Sequence, residues 1–286
     1  MSRVFHIGIP KSGTTSIQAI LGEDERVELL RSTFYTTSRY WTAKDKEKVS
    51  DKIYIESNET LVTSGYNKVK LNEVFRRISQ LHKDAKIIIT IRRQEDAILS
   101  MFKYHIKQNF KGVKSLENWM YKTNLGMDYL STCMYGNLAK LLLLYFKKDN
   151  IHFICFEDLK YQPELFYNQF YNVLNIPYKS ETNSVVRNSV NLSDNQLYTL
   201  SRLNTLSFTS INSEQYNSFK YIRKIERKIK HKIVKAKSLK KPNSFFEINN
   251  VNGFQNLKED YRRSNRMLIE LGLIKESKLK EYNYYI

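Results

Sequence analysis

Residues 85–91 read Ala-Lys-Ile-Ile-Ile-Thr-Ile, an almost unbroken apolar and β-branched run. A strand with one wet face alternates apolar and polar residues. A strand without that alternation has to be covered on both faces, as in a parallel sheet between layers of helix. Parallel neighbours need crossover helices, and the first half of the chain supplies both kinds of segment. Further strands are expected over residues 3–8, 52–56 and 151–156. Apolar spacing predicts helices over residues 17–21, 71–81, 94–108 and 138–146. Beyond residue 163 strand signals fade, and residues 165–174, 194–206, 221–237 and 256–271 all carry the helical period. The expectation is an α/β fold: a phosphate-loop-like central parallel sheet flanked by helices, with a mainly helical C-terminal portion. Nine glycines and four prolines in 286 residues mark no linker. Residues 1–286 are therefore expected to form a single domain, with 1–160 as the α/β core and 161–286 as the helical portion.

With 41% hydrophobic and 27% charged residues, the composition is that of a globular protein and excludes wholesale disorder. The longest apolar stretch, residues 138–146, is broken by Lys140 and is too short to span a bilayer. The first residues hold no signal-peptide core or cleavage site, so the protein is expected to stay in the cytoplasm. Cys133 and Cys155 have no ligand-spaced partners, which points to buried reduced thiols.

Charge is the unusual quantity. Lysine and arginine number 47 against 29 acids, a net +18. The chain is rich in Lys, Asn, Ile and Tyr together, a bias that gene composition alone can produce. The excess is concentrated, however, because residues 220–241 hold eleven basic residues and one acid. Ile222, Ile225, Ile229 and Ile233 recur there at helical spacing. Two readings stay open: a solvated helix packed through its isoleucines, or a basic surface for an anionic membrane or a sugar polymer.

The first strand runs into Gly8-Ile-Pro-Lys11-Ser12-Gly13-Thr14-Thr15-Ser16 and then a helix. In that context backbone N–H groups and a helix N-terminus cradle phosphate. The nucleoside-triphosphatase signature has two glycines four residues apart, then Lys, then Ser or Thr. Here the glycine spacing is kept, but Thr14 takes the lysine position and Lys11 lies three residues earlier. An ammonium in mid-loop sits where charge develops on an oxygen bridging the phosphate to a departing group. The strand at 85–91 ends on Arg92 and Arg93, where a triphosphate enzyme would carry an acid for magnesium. Ser100 follows Arg92 by eight residues, about two helical turns. A guanidinium and a hydroxyl so spaced suit a second phosphate.

At this point the chain resembles the sulfotransferases that use 3′-phosphoadenosine 5′-phosphosulfate (PAPS). Pro10-Lys-Ser-Gly-Thr-Thr15 is similar to that family's 5′-phosphosulfate loop, and Arg92 with Ser100 to its 3′-phosphate motif. The flanking His6-Ile-Gly and Ser16-Ile-Gln resemble the bacterial branch acting on carbohydrates. Phe156-Glu-Asp-Leu159 and Tyr261-Arg-Arg-Ser-Asn-Arg266 extend the likeness. One departure is Gln94, where the family often carries Pro. The resemblance implies that Lys11, Ser12, Gly13, Thr14, Thr15 and Ser16 bind the 5′ side of the donor, and that Arg92 and Ser100 bind its 3′-phosphate; Arg93 is the alternative arginine, and the spacing to Ser100 favours Arg92. It implies PAPS as donor, PAP as product, and a carbohydrate or glycolipid acceptor. No metal and no nucleic-acid partner are expected.

In-line sulfuryl transfer needs a base facing Lys11 across the sulfur. Glu59, in Ser57-Asn-Glu59 just past the second expected strand, resembles the family's acidic base; Glu56 is the runner-up. His6 and His105 fall on packed positions and are expected to be structural. The competing functions are a phosphate-loop kinase and a non-enzymatic basic protein binding nucleic acid or membrane. Acceptor loops are expected over residues 31–48 and 107–121 and at the helical end.

Overall fold

The computed structural model describes residues 3–30, 51–62, 70–108, 113–179, 192–205 and 220–286. Five strands, β1 (Val4–His6), β2 (Val27–Leu30), β3 (Ile53–Ser57), β4 (Lys86–Ile91) and β5 (Ile151–Cys155), make one wholly parallel sheet in the order β2-β3-β1-β4-β5. The unalternating run is β4. Ile87, Ile88, Ile89 and Ile91 are all buried, and β1 and β5 flank the strand.

β2 was not expected from sequence. It has four residues at the sheet edge, and only Val27 is fully buried, so no periodicity could reveal it. Burying one isoleucine or phenylalanine side chain stabilises by about 1.5–3 kcal/mol. On one face of the sheet, Val4, Ile55, Ile88 and Ile154 pack against Ile17, Ile20 and Leu21 of α1 (Thr14–Glu23) and Phe166 and Phe170 of α8 (Pro163–Leu174).

Between them come α2 (Leu71–Leu81), α3 (Gln94–Lys107), α4 (Leu116–Lys122), α5 (Asn124–Thr132), α6 (Tyr135–Leu143) and α7 (Phe156–Tyr161). After α8 follow α9 (Asp194–Asn204), α10 (Lys220–Ala236), α11 (Phe254–Glu270) and α12 (Glu276–Glu281). The fold class is thus the expected one. Two local expectations are corrected. Part of the expected loop at 107–121 is α4, whose N–H at Asn118 is capped by the Ser115 hydroxyl at 3.1 Å. The helix expected to reach Phe146 ends at Leu143. Segment 31–48 lies outside the described residues.

The chain forms two compact units. One draws on residues 1–97, 132–187 and 258–286, the other on 98–131 and 188–257. The sheet lies in the first. Cys133 and Cys155 are buried free thiols. Among the described residues no helix is long and apolar enough to cross a membrane.

Candidate active site

In this strand order the chain leaves β1 toward β2 on one side and leaves β4 toward β5 on the other. The crevice between two such strands is where open α/β sheets bind ligands. The loop after β1 and the residues after β4 therefore meet at the favoured place. Ile7 N donates to Ile88 O at 2.8 Å and Ile9 N to Thr90 O at 3.0 Å, which fastens the loop to β4.

Two loop residues have left-handed backbones, Lys11 at φ 73° and Gly13 at φ 84°. The second is natural for glycine; the first costs a side-chain-bearing residue about 1–3 kcal/mol and is found where surroundings enforce it. One contact on it is Arg92, whose Nη1 donates to the Lys11 carbonyl at 2.8 Å. Gly13 is needed for space as well. A Cβ there would lie 2.7 Å from Leu159 and 2.9 Å from the Phe156 ring. The same Phe156 ring lies beneath the Arg92 guanidinium at 4.8 Å. Gly13 is also the N-cap of α1, so the helix's positive end opens on the loop.

Arg92 carries the one feature a finished structural contact would lack. Its Nε is buried with no hydrogen-bond partner among the described residues. A buried charged donor without an acceptor is costly, and an anion within its reach would relieve that cost. Arg93, the neighbouring candidate, is engaged elsewhere: its side chain pairs with Asp96 at 3.0 Å. Ser100 is half-buried in α3, and belongs to the second unit.

Glu59 opens a 3-10 turn directly after β3. Burial pushes its carboxyl above the ordinary range, while the Lys11 ammonium and the Thr14 hydroxyl pull it back. Burial likewise draws Lys11 below the usual lysine value; Glu59 opposes that shift and Arg92 adds to it. The two groups thus sense each other. Glu56 is buried inside β3, paired in register with Phe5, and the strand alternation turns it to the face opposite Ser57.

Beneath the loop lies a bracket. His6 Nδ1 meets Ser57 Oγ at 2.8 Å and His6 Nε2 meets Thr90 Oγ1 at 2.9 Å, tying β1 to both neighbours. Gln18 of α1 donates to the Ser57 carbonyl at 2.9 Å. Full burial holds the His6 pKa at about 3, so the ring is neutral. Its structural role was legible from its place in a strand; Ser57, Thr90 and Gln18 gave no separate signal. His105 is also structural. It accepts from Trp119 Nε1 at 2.8 Å in the second unit.

The two weaker motifs converge on the start of α3. Glu157 accepts from Arg93 N at 2.8 Å and from Tyr284 OH at 2.7 Å. Asp158 accepts from Lys278 at 2.6 Å and from Tyr282. Gln94, where the motif it resembles often carries proline, is buried and donates to Asn265 of α11 at 2.9 Å. The first residue of a helix tolerates proline because its N–H has no partner within the helix; glutamine there supplies a side-chain tie instead.

The sulfotransferase domain family matches residues 1–260. The chain belongs to the sulfotransferase family. It is accordingly an enzyme of sulfuryl transfer. Among solved structures, a sulfotransferase from Alicyclobacillus acidocaldarius is 14% identical, covering 72% of this chain and 94% of its own, with TM-score 0.49. The sulfotransferase domain from the curacin biosynthetic pathway is 13% identical, covering 96% and 98%, with TM-score 0.47. Mouse sulfotransferase SULT7A1 complexed with PAP is 14% identical, covering 99% and 88%, with TM-score 0.42. No curated protein matches the chain.

Proposed function

We propose that this sulfotransferase uses PAPS as donor and a carbohydrate hydroxyl as acceptor. The observation that carries the donor assignment is the Arg92 guanidinium: one nitrogen on the Lys11 carbonyl, another buried without a partner, and a face on Phe156. A cation so held between the β1 loop and the end of β4 suits a nucleotide with two anionic ends. Lys11, Ser12, Gly13, Thr14, Thr15 and Ser16 bind the phosphosulfate end through backbone and hydroxyl donors and the positive end of α1.

In the reaction, Glu59 accepts the proton of the acceptor hydroxyl as its oxygen bonds to sulfur. The bond from sulfur to the bridging oxygen of the 5′-phosphate breaks, and Lys11 stabilises the charge on that oxygen as PAP leaves. Glu59 is preferred to Glu56 because it lies past the strand and senses Lys11. Ser100 is proposed for the 3′-phosphate on its eight-residue spacing from Arg92 in the sequence alone.

Calorimetric titration with PAP and with ATP plus magnesium tests the donor. Tighter binding of PAP, weakened at least tenfold in Arg92→Ala, is expected; tighter binding of ATP would reject the assignment. Loss of turnover in Lys11→Ala with labelled PAPS and a saccharide panel tests the reaction, and Ser100→Ala tests the spacing. Turnover on small alcohols with none on any saccharide would reject the carbohydrate acceptor.

A further inference from the structure

The basic helix is turned inside out. In α10 the side chains facing the protein are charged or polar: Glu226 and Lys230 form an ion pair at 2.7 Å with 12% and 10% of their side chains exposed. Arg227 donates to Gln108 Oε1 at 2.5 Å, and His231 meets the Lys107 carbonyl at 3.2 Å. Only Val234 brings an apolar side chain to that face among the described residues of the helix. The isoleucines look the other way. Ile225, Ile229 and Ile233 are 59%, 53% and 46% exposed. For Ile222 only the backbone is described.

This orientation is fixed at several points. Besides the contacts of Arg227 and His231, the chain after α10 is tied to α9, with Leu239 N on Thr199 Oγ1 at 2.7 Å and Lys241 N on Asn195 Oδ1 at 3.0 Å. Burying an ion pair while three isoleucines stay wet runs against the ordinary economy of a surface helix. The arrangement is explained by a partner for the outward face.

The chemistry of that face selects the partner. Along the helix, Lys224, Lys228, Lys232 and Lys235 are exposed and flank the isoleucines on one side; Leu239 and Lys240 continue the mixed surface. The apolar residues are aliphatic and not aromatic, so they suit hydrocarbon better than the faces of a sugar. A second copy of the chain would bring its own row of lysines against this one. At 17 residues with so many cations the helix lies on a bilayer and does not cross it.

We infer that α10 docks the enzyme on an anionic lipid surface, isoleucines in the acyl boundary and lysines against the headgroups. Each lysine near such a surface strengthens binding about fivefold. The inference is independent of the donor and acceptor assigned above.

Vesicle co-sedimentation of the full chain tests it. Phosphatidylcholine vesicles with about one-third phosphatidylglycerol should capture the protein, and pure phosphatidylcholine should capture at least tenfold less. Ile225→Ser/Ile229→Ser/Ile233→Ser should lose at least tenfold on the anionic vesicles, and so should Lys224→Gln/Lys228→Gln/Lys232→Gln. Unchanged PAP binding and unchanged circular dichroism in both triple variants show that the fold is intact. No capture of the wild type, equal capture by both vesicles, or wild-type capture by the isoleucine variant would each overturn the inference. So would a wild-type dimer that becomes monomeric in the isoleucine variant.

Discussion

Lys11 and Glu59 have opposite charges and are drawn by burial in opposite senses, each toward its neutral form. Both must be charged for the proposed reaction: the lysine to stabilise the departing oxygen, the carboxylate to take the proton. The acid limb of kcat/KM should therefore lie above the usual carboxylate range and the alkaline limb below the usual lysine range, giving a bell narrower than free side chains would give. Glu59→Gln should lower kcat by about 100-fold or more and abolish the acid limb, the expected scale for removing a general base. A profile whose acid limb survives in that variant would assign the base elsewhere. At this scale the loop was readable because its glycines, lysine and hydroxyls form a spaced pattern between a strand and a helix, which is where the structure has it. The motif that holds Phe156 was visible, but its place beneath the Arg92 guanidinium was not, because residue types alone do not say what a ring touches.

Elements reveal a different kind of legibility. Long, strongly periodic helices such as α2 stand where the spacing predicts, with bounds matching to the residue. β2 and α4 did not announce themselves, being four and seven residues long. For α10 the period was plain and the direction was not. A stripe of isoleucines gives one period whether it faces the core or the solvent, and only the inward ion pair and the ties to Gln108 and Lys107 decide which. The start of α3 is another junction that a linear pattern hides, because Glu157 meets Tyr284 there across 127 residues. Tyr284→Phe removes a donor from a buried carboxylate, and should destabilise the first unit by about 1–3 kcal/mol. Urea unfolding followed by circular dichroism measures it; an unchanged midpoint would show that the contact contributes nothing.

For the whole molecule, the two units each bury a neutral histidine, His6 in one and His105 in the other, both held at about 3. A free histidine titrates near 6.5, so between these values the unfolded chain binds the proton and the native one does not. Stability from this source is complete above pH 6.5 and declines as pH falls toward 3, by up to about 1.4 kcal/mol per pH unit for each histidine. His105→Gln should flatten that decline for the second unit alone. Thermal unfolding at several pH values reads the slopes, and a slope unaltered by the substitution would contradict it.

The first unit is also assembled from three separate stretches of chain, the last beginning at residue 258. During synthesis all five strands emerge from the ribosome more than a hundred residues before Tyr282, Tyr284 and Tyr285 do. Throughout that interval Asp158, Glu157 and Glu95 are without the hydroxyls that later bond them. The nascent sheet therefore waits with these carboxylates unlatched. A chain broken off before Tyr282 would lose its clasp while keeping every strand.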